Sequence, residues 1–190
     1  MQLKLAFSRP LVIAVAIGAA LLLGILYWIG RGSVHAPPSS LAPLTLTRPP
    51  KPAASVAFQG ADGKIHALGD FKGKLVLLNL WAPWCAPCVK ELPALAALQT
   101  AIPKDRFVVI PVDVGRDRIA DASQFLNGHG ASVLPAYLDS NISAFSAYGA
   151  YGLPTTILID GKGREIARAV GPADWSAPDS IAYMKRLAGS

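Results

Sequence analysis

Residues Lys74 to Ala82 read KLVLLNLWA, an apolar run interrupted only by Asn79 after its opening lysine. A run this short and this apolar fits a strand buried on both faces. Such a strand needs cover above and below, and helices supply it. The run leads into Trp84-Cys85-Ala86-Pro87-Cys88, and a helical pattern follows at once. Leu92, Leu95, Ala96 and Leu98 recur at helical spacing across residues 86–101, with Pro93 placed to kink the helix. A buried strand turning directly into a helix therefore sets the centre of the fold.

The rest of the chain alternates in the same way. Phe107 to Val112 reads as a second buried strand, and Asp117 to Asn127 as a helix ended by Gly128. A shorter strand is expected around Ala136-Tyr137-Leu138 and a short helix over Ile142 to Tyr148. Thr155 to Asp160 and Glu165 to Val170 flank Gly161-Lys162-Gly163, a closing hairpin. A last helix covers Asp179 to Leu187, starting at Ser176 or Pro178. In front, Ser55 to Phe58 and Lys64 to Leu68 flank the turn Asp62-Gly63. The pattern predicts an α/β domain over residues 55–190, with a mixed central sheet flanked by helices and an N-terminal β-hairpin.

Two segments precede that domain. Leu11 to Ile29 carries no charge, and nineteen residues at about 1.5 Å each give roughly 28 Å of helix, enough for a hydrocarbon core. Lys4 and Arg9 lie before it, and Tyr27 and Trp28 sit at its far end. The expectation is a transmembrane anchor over 11–29 behind a cytoplasmic segment, 1–10. The domain then lies outside the membrane, which in a bacterium is the oxidising periplasm. A cleaved signal peptide is the rival; its apolar part is normally shorter, and Pro37 after Val34-His35-Ala36 disfavours a cut there. Residues 30–54 hold Pro37, Pro38, Pro43, Pro49, Pro50 and Pro52 and read as an extended linker.

The net charge of +6 does not point to nucleic acid. Five cations precede residue 53; from Ala53 onward 13 Lys and Arg face 12 Asp and Glu, which leaves no basic stripe for phosphates.

Cys85 and Cys88 are the only cysteines. At a strand–helix junction, unpaired N–H groups and the helix dipole favour thiolate at Cys85, and thiolate is the nucleophile. Cys88, one turn on, can attack a disulfide between Cys85 and a partner. Pro87 sits in the first turn, where its missing N–H costs nothing. A purely structural disulfide closing so short a loop removes little entropy. Structural zinc wants four ligands, and His35, His66 and His129 do not supply the spacing. The redox reading is the strongest of the three.

These residues resemble the thioredoxin superfamily, and within it the membrane-anchored TlpA-like thiol–disulfide oxidoreductases. Asn79-Leu80-Trp81-Ala82 before WCAPC, Glu91 after the second cysteine, Gly152-Leu153-Pro154-Thr155-Thr156 and Gly171-Pro172-Ala173-Asp174-Trp175 carry the resemblance. It implies a thioredoxin-like domain over 55–190 with no cofactor beyond the Cys85–Cys88 pair. It implies a cis peptide before Pro154 and backbone pairing of Leu153 with the incoming peptide; an ordinary trans turn is the plain alternative. Trp84 is expected as a partly exposed rim for a partner. Thioredoxins carry a buried aspartate where Asn79 stands and a lysine near Val109, so that proton relay is absent. Glu91 is the substitute proton carrier for Cys88, or else a solvated helix residue.

The resemblance further implies a reductase re-reduced by a membrane electron donor. Its protein substrates would be a copper chaperone or the copper-bearing subunit of cytochrome oxidase, whose cysteines must be dithiols before copper enters. Reduction of apocytochrome c for haem attachment is the runner-up. A copper-binding chaperone is the alternative from another class, with His129 its one conceivable third ligand.

Overall fold

The computed structural model describes residues 17–24, 36–115 and 118–189. Two compact units are distinguished, Met1–Ala36 and Pro37–Ser190. In the first, residues 17–24 are helical. Among the described residues no helix is long and apolar enough to cross a membrane. Most of the anchor predicted over 11–29 lies outside the described residues.

The second unit is built on an eight-stranded mixed sheet. Its strands are β1 (Leu44–Pro52), β2 (Ala57–Gly60), β3 (Ile65–Ala67), β4 (Leu75–Trp81), β5 (Phe107–Asp113), β6 (Tyr137–Leu138), β7 (Thr155–Ile159) and β8 (Arg164–Val170). Their order across the sheet is β1-β8-β7-β4-β5-β6-β2-β3. The helices are α1 (Ala86–Ala101), α2 (Ile119–Gly128), α3 (Ser143–Ala147) and α4 (Pro178–Ala188). This is the thioredoxin-like α/β arrangement expected from the sequence. Pro178, not Ser176, is the first residue of the last helix, with Ala177 as its cap.

Strand β4 behaves as its composition requires. All seven of its residues are buried, and it runs parallel to β5 and antiparallel to β7. Leu75, Leu77 and Trp81 enter one core with Leu92, Leu95 and Leu98 of α1 and Tyr183 of α4. Val76, Leu78 and Leu80 enter the other with Val56, Phe58 and Tyr148. Period-two side chains thus feed both layers from one strand. Gln99 fixes α1 to β5: its amide donates to the Phe107 carbonyl at 3.4 Å, and its oxygen accepts from Val109 N–H at 2.8 Å.

The linker predicted over 30–54 is corrected from Pro37 onward. Leu41, in a 3-10 turn over Ser39–Leu41, is fully buried, and Leu44 nearly so. Strand β1 pairs antiparallel with β8 through Leu44 to Leu46 and again through Lys51 and Pro52, with a bulge between. The Arg48–Pro49 peptide is cis. Ser40 hydroxyl donates to Asp179 at 2.8 Å, and Asp174 N–H donates to the Ser40 carbonyl at 3.1 Å. Extended proline-containing backbone and an edge strand share similar dihedrals. What separates them is a partner, and β8 supplies it.

Candidate active site

The cysteines stand where β4 gives way to α1. Cys85 is the N-cap of the helix, with Ala86 and Pro87 as its first two residues. The Cys88 N–H points back at the Cys85 sulfur at 3.3 Å, so one orphan donor of the first turn is aimed at the reacting atom. Cys85 N–H donates to the Ala82 carbonyl at 3.0 Å, holding the chain as it leaves the strand. The two cysteines form a disulfide with Cα atoms 5.3 Å apart, and this is the oxidised state of the pair. Cys88 is buried at 1% exposure, while Cys85, at 6%, lines an open cavity.

That cavity, about 680 Å³, also meets Trp84, which is 71% exposed, and Leu153. The structure therefore gathers three predicted residues, Trp84, Cys85 and Leu153, around one opening. Cys88 lies behind Cys85. The Leu153–Pro154 peptide is cis, and the Pro154 carbonyl accepts from Gly171 N–H at 2.9 Å.

Glu91 is not the solvated helix residue that was one reading of it. It is 4% exposed, one turn beyond Cys88 on α1. Its Oε1 accepts from the Trp175 indole N–H and from Ala173 N–H at 3.2 Å. Its Oε2 makes no hydrogen bond of ordinary length among the described residues. Burial pushes the carboxyl up from 4.5 to about 7, against the pull of Trp175, Ala173 and, more weakly, Asn79. A carboxyl held there exchanges a proton near neutrality. Trp175 is thus more than packing: it anchors the acid. The Gly171-to-Trp175 segment carries both donors, and sequence pattern alone does not show that it folds over α1.

Asn79, on β4, donates to the Thr156 hydroxyl at 3.0 Å, and both are buried. It ties β4, the strand that leads to the cysteines, to β7 directly after the cis proline. His129 Nδ1–H donates to the Phe125 carbonyl at 2.8 Å, and the imidazole stacks on the Phe125 ring at 3.9 Å.

Residues 49–184 match the Redoxin family. The chain belongs to that family. A thiol-disulfide oxidoreductase ResA from Bacillus subtilis (strain 168) is 34% identical over 119 residues, covering 63% of this chain and 65% of the relative. The chain thus spans just under two thirds of that relative's length. A ResA from Bacillus thuringiensis (strain Al Hakam) is 33% identical over 137 residues, covering 72% of this chain and 77% of the relative. Among solved structures, the thioredoxin domain of a thiol-disulfide oxidoreductase from Bacteroides vulgatus superposes with a TM-score of 0.61 at 25% identity, covering 73% of this chain and 96% of that one. The resemblance to thioredoxin-superfamily thiol:disulfide interchange proteins, drawn from the motifs, is borne out by these likenesses.

Proposed function

We propose that this Redoxin-family chain is a protein-disulfide reductase, tethered to a bacterial cytoplasmic membrane with its redox domain in the periplasm. The observation that carries the reading is the Cys85–Cys88 pair at the start of α1, with Cys85 facing a cavity beside Leu153. In the dithiol state Cys85 thiolate attacks a partner disulfide and expels one partner thiolate. Cys88 then attacks Cys85 in the mixed disulfide and expels the second. The partner gains two electrons and two protons; the chain is left with the disulfide seen here. Glu91, buried one turn from Cys88, takes up the proton that Cys88 sheds as it attacks. The redox-active disulfide is the only prosthetic chemistry the reaction needs, and a membrane electron donor returns the two electrons. Trp84 and Leu153 border the partner's approach.

The resemblance to TlpA-like proteins supports cysteines of copper-site assembly as the substrates: a copper chaperone or the copper-bearing oxidase subunit. Cys88→Ser tests the reading. Serine cannot expel the partner, so Cys85 should stay joined to its substrate and the adduct should survive a non-reducing gel. Cys85→Ser should trap nothing. Recovery of apocytochrome c alone would replace the copper-site substrate, and no adduct at all would refute the reductase. An alkaline-phosphatase fusion at residue 36 should be active if the domain lies outside the membrane, and an inactive fusion refutes that placement.

A further inference from the structure

The two donors to Glu91 Oε1, Ala173 N–H and the Trp175 indole, sit on alternate residues of one loop. Asp174, between them, is held from elsewhere. Its N–H donates to the Ser40 carbonyl at 3.1 Å, and its carbonyl accepts from the Ser180 hydroxyl at 2.6 Å. The Ser40 hydroxyl shares its one proton between Ser180 Oγ at 2.7 Å and Asp179 Oδ1 at 2.8 Å. Both main-chain groups of Asp174 are thus fixed by a pair of serines. One comes from the 3-10 turn over Ser39–Leu41, the other from α4. The Asp174 carboxylate is engaged at the start of α4, where Oδ1 accepts from Ser176 N–H, the Ser176 hydroxyl and Ala177 N–H at 2.8–3.1 Å.

Both serines have a firm seat. Ser180 is fully buried, so its hydroxyl needs partners inside the protein and finds them in Asp174 and Ser40. Leu41, next to Ser40, is fully buried in the core that also holds Trp175 and Tyr183. The groups that favour the Glu91 anion are the neutral donors Trp175 and Ala173 from this loop and Asn79 from β4. Cys88, one turn back on the same helix, is the thiol with which it exchanges a proton. With no counter-charge among those donors, the proton affinity of Glu91 follows how well they are aimed. A hydrogen bond weakens steeply as its angle closes, so a small rotation of the Asp174 peptide loosens the donors on both sides of it.

We infer that Ser40 and Ser180 are positioning residues for the proton carrier: by fixing the peptide of Asp174 they aim Ala173 and Trp175 at Glu91 and so set how readily it accepts the proton of Cys88. The inference rests on the reading of Glu91 given under the proposed function. In that step Cys88 loses its proton to the Glu91 carboxylate, its sulfur bonds to Cys85 Sγ, and the partner sulfur leaves as thiolate. The turn that opens the folded domain is thereby joined to the chemistry at the far side of the loop.

The test uses the full chain, reduced, with Ellman's reagent, whose two thiolate releases separate the steps. Attack by Cys85 gives the first release, and attack by Cys88 on the resulting mixed disulfide gives the second. High reagent concentration speeds only the first, bimolecular step and leaves the second rate-limiting. In the wild type the second release should rise with pH through a midpoint near about 7. Ser40→Ala combined with Ser180→Ala should raise that midpoint by about half a pH unit or more, because weaker donors favour the protonated acid. Ser40→Thr keeps the hydroxyl and should stay within about 0.2 unit of wild type. The infrared carboxyl band that Glu91→Gln removes titrates Glu91 directly in the oxidised chain, and its midpoint should move in step. Either single alanine variant should shift it in the same direction, which keeps the test open if the double variant does not fold. An infrared midpoint unmoved in the alanine variants, or moved equally by Ser40→Thr, would overturn the positioning role and leave the reductase standing. An infrared midpoint that moves while the second release ignores both the alanine variants and Glu91→Gln would overturn Glu91 as proton acceptor, and the inference with it. Absence of even the first release would overturn the reductase reading itself.

Discussion

Replacing Glu91 by glutamine removes one ionisable proton from the interior and leaves a side chain of nearly the same shape. The amide oxygen introduced there can still accept from Trp175 and Ala173. In the folded protein the Glu91 carboxyl titrates at about 7, against 4.5 when it is unburied. Well below 4.5 both states hold the proton and the group contributes no pH dependence. Between 4.5 and about 7 the unfolded chain releases the proton while the folded chain keeps it. The folded state then binds more protons, so stability falls as pH rises, and the loss is complete above about 7. At 1.36 kcal/mol per pH unit the gap corresponds to about 3 kcal/mol. Denaturant titrations of the oxidised wild type and Glu91→Gln at about pH 4.5 and about pH 8 isolate this group, since all others are shared. The wild type should lose about 3 kcal/mol more than the variant across that interval. Parallel losses within about 1 kcal/mol, or a variant less stable than wild type at the higher pH alone, would refute the assignment of a buried, near-neutral acid.

Trp175→Phe keeps the buried ring but removes the indole donor that favours the Glu91 anion. It should raise the Glu91 pKa further and cost about 1.5–3 kcal/mol at the higher pH, with a smaller loss at the lower, measured by the same titrations. A chain started at residue 54 lacks the buried side chains Leu41 and Leu44 and all of β1; each leucine is worth about 1.5–3 kcal/mol, so its melting temperature should fall well below that of a chain started at residue 36. In the reduced protein iodoacetamide should modify Cys85 before Cys88, because Cys85 faces the cavity and Cys88 is buried; mass mapping of the first adduct checks the order.

The parts of the fold legible in the sequence are those with a local signature. Lys74 to Ala82 announced a two-sided strand, the helix over Ala86–Ala101 followed from its apolar spacing, and Asp62-Gly63 marked the β2–β3 hairpin. The cysteines and cis-Pro154 were found by motif, and their convergence with Trp84 and Leu153 follows from the thioredoxin topology. What stayed hidden depends on distant partners. Strand β1 carries three prolines and looks like a spacer until β8 is placed beside it. Glu91 is one acid in a helix until Ala173 and Trp175, more than eighty residues on, close over it. The left-handed backbone of Ile142 has no residue-type signal at all, since isoleucine is among the last residues expected there.

Strand β1 also settles what the sheet can do with neighbours. It is the outermost strand on one side, and Pro49, Pro50 and Pro52 leave its free edge short of N–H donors where another chain would need them. On the opposite side β3 spans three residues, Ile65–Ala67, too short a template for a stable added strand. The partners proposed above, proteins whose disulfides are to be reduced, would bring extended peptide to this domain. With three prolines in one edge strand and only three residues in the other, such peptide would find little sheet edge to pair with.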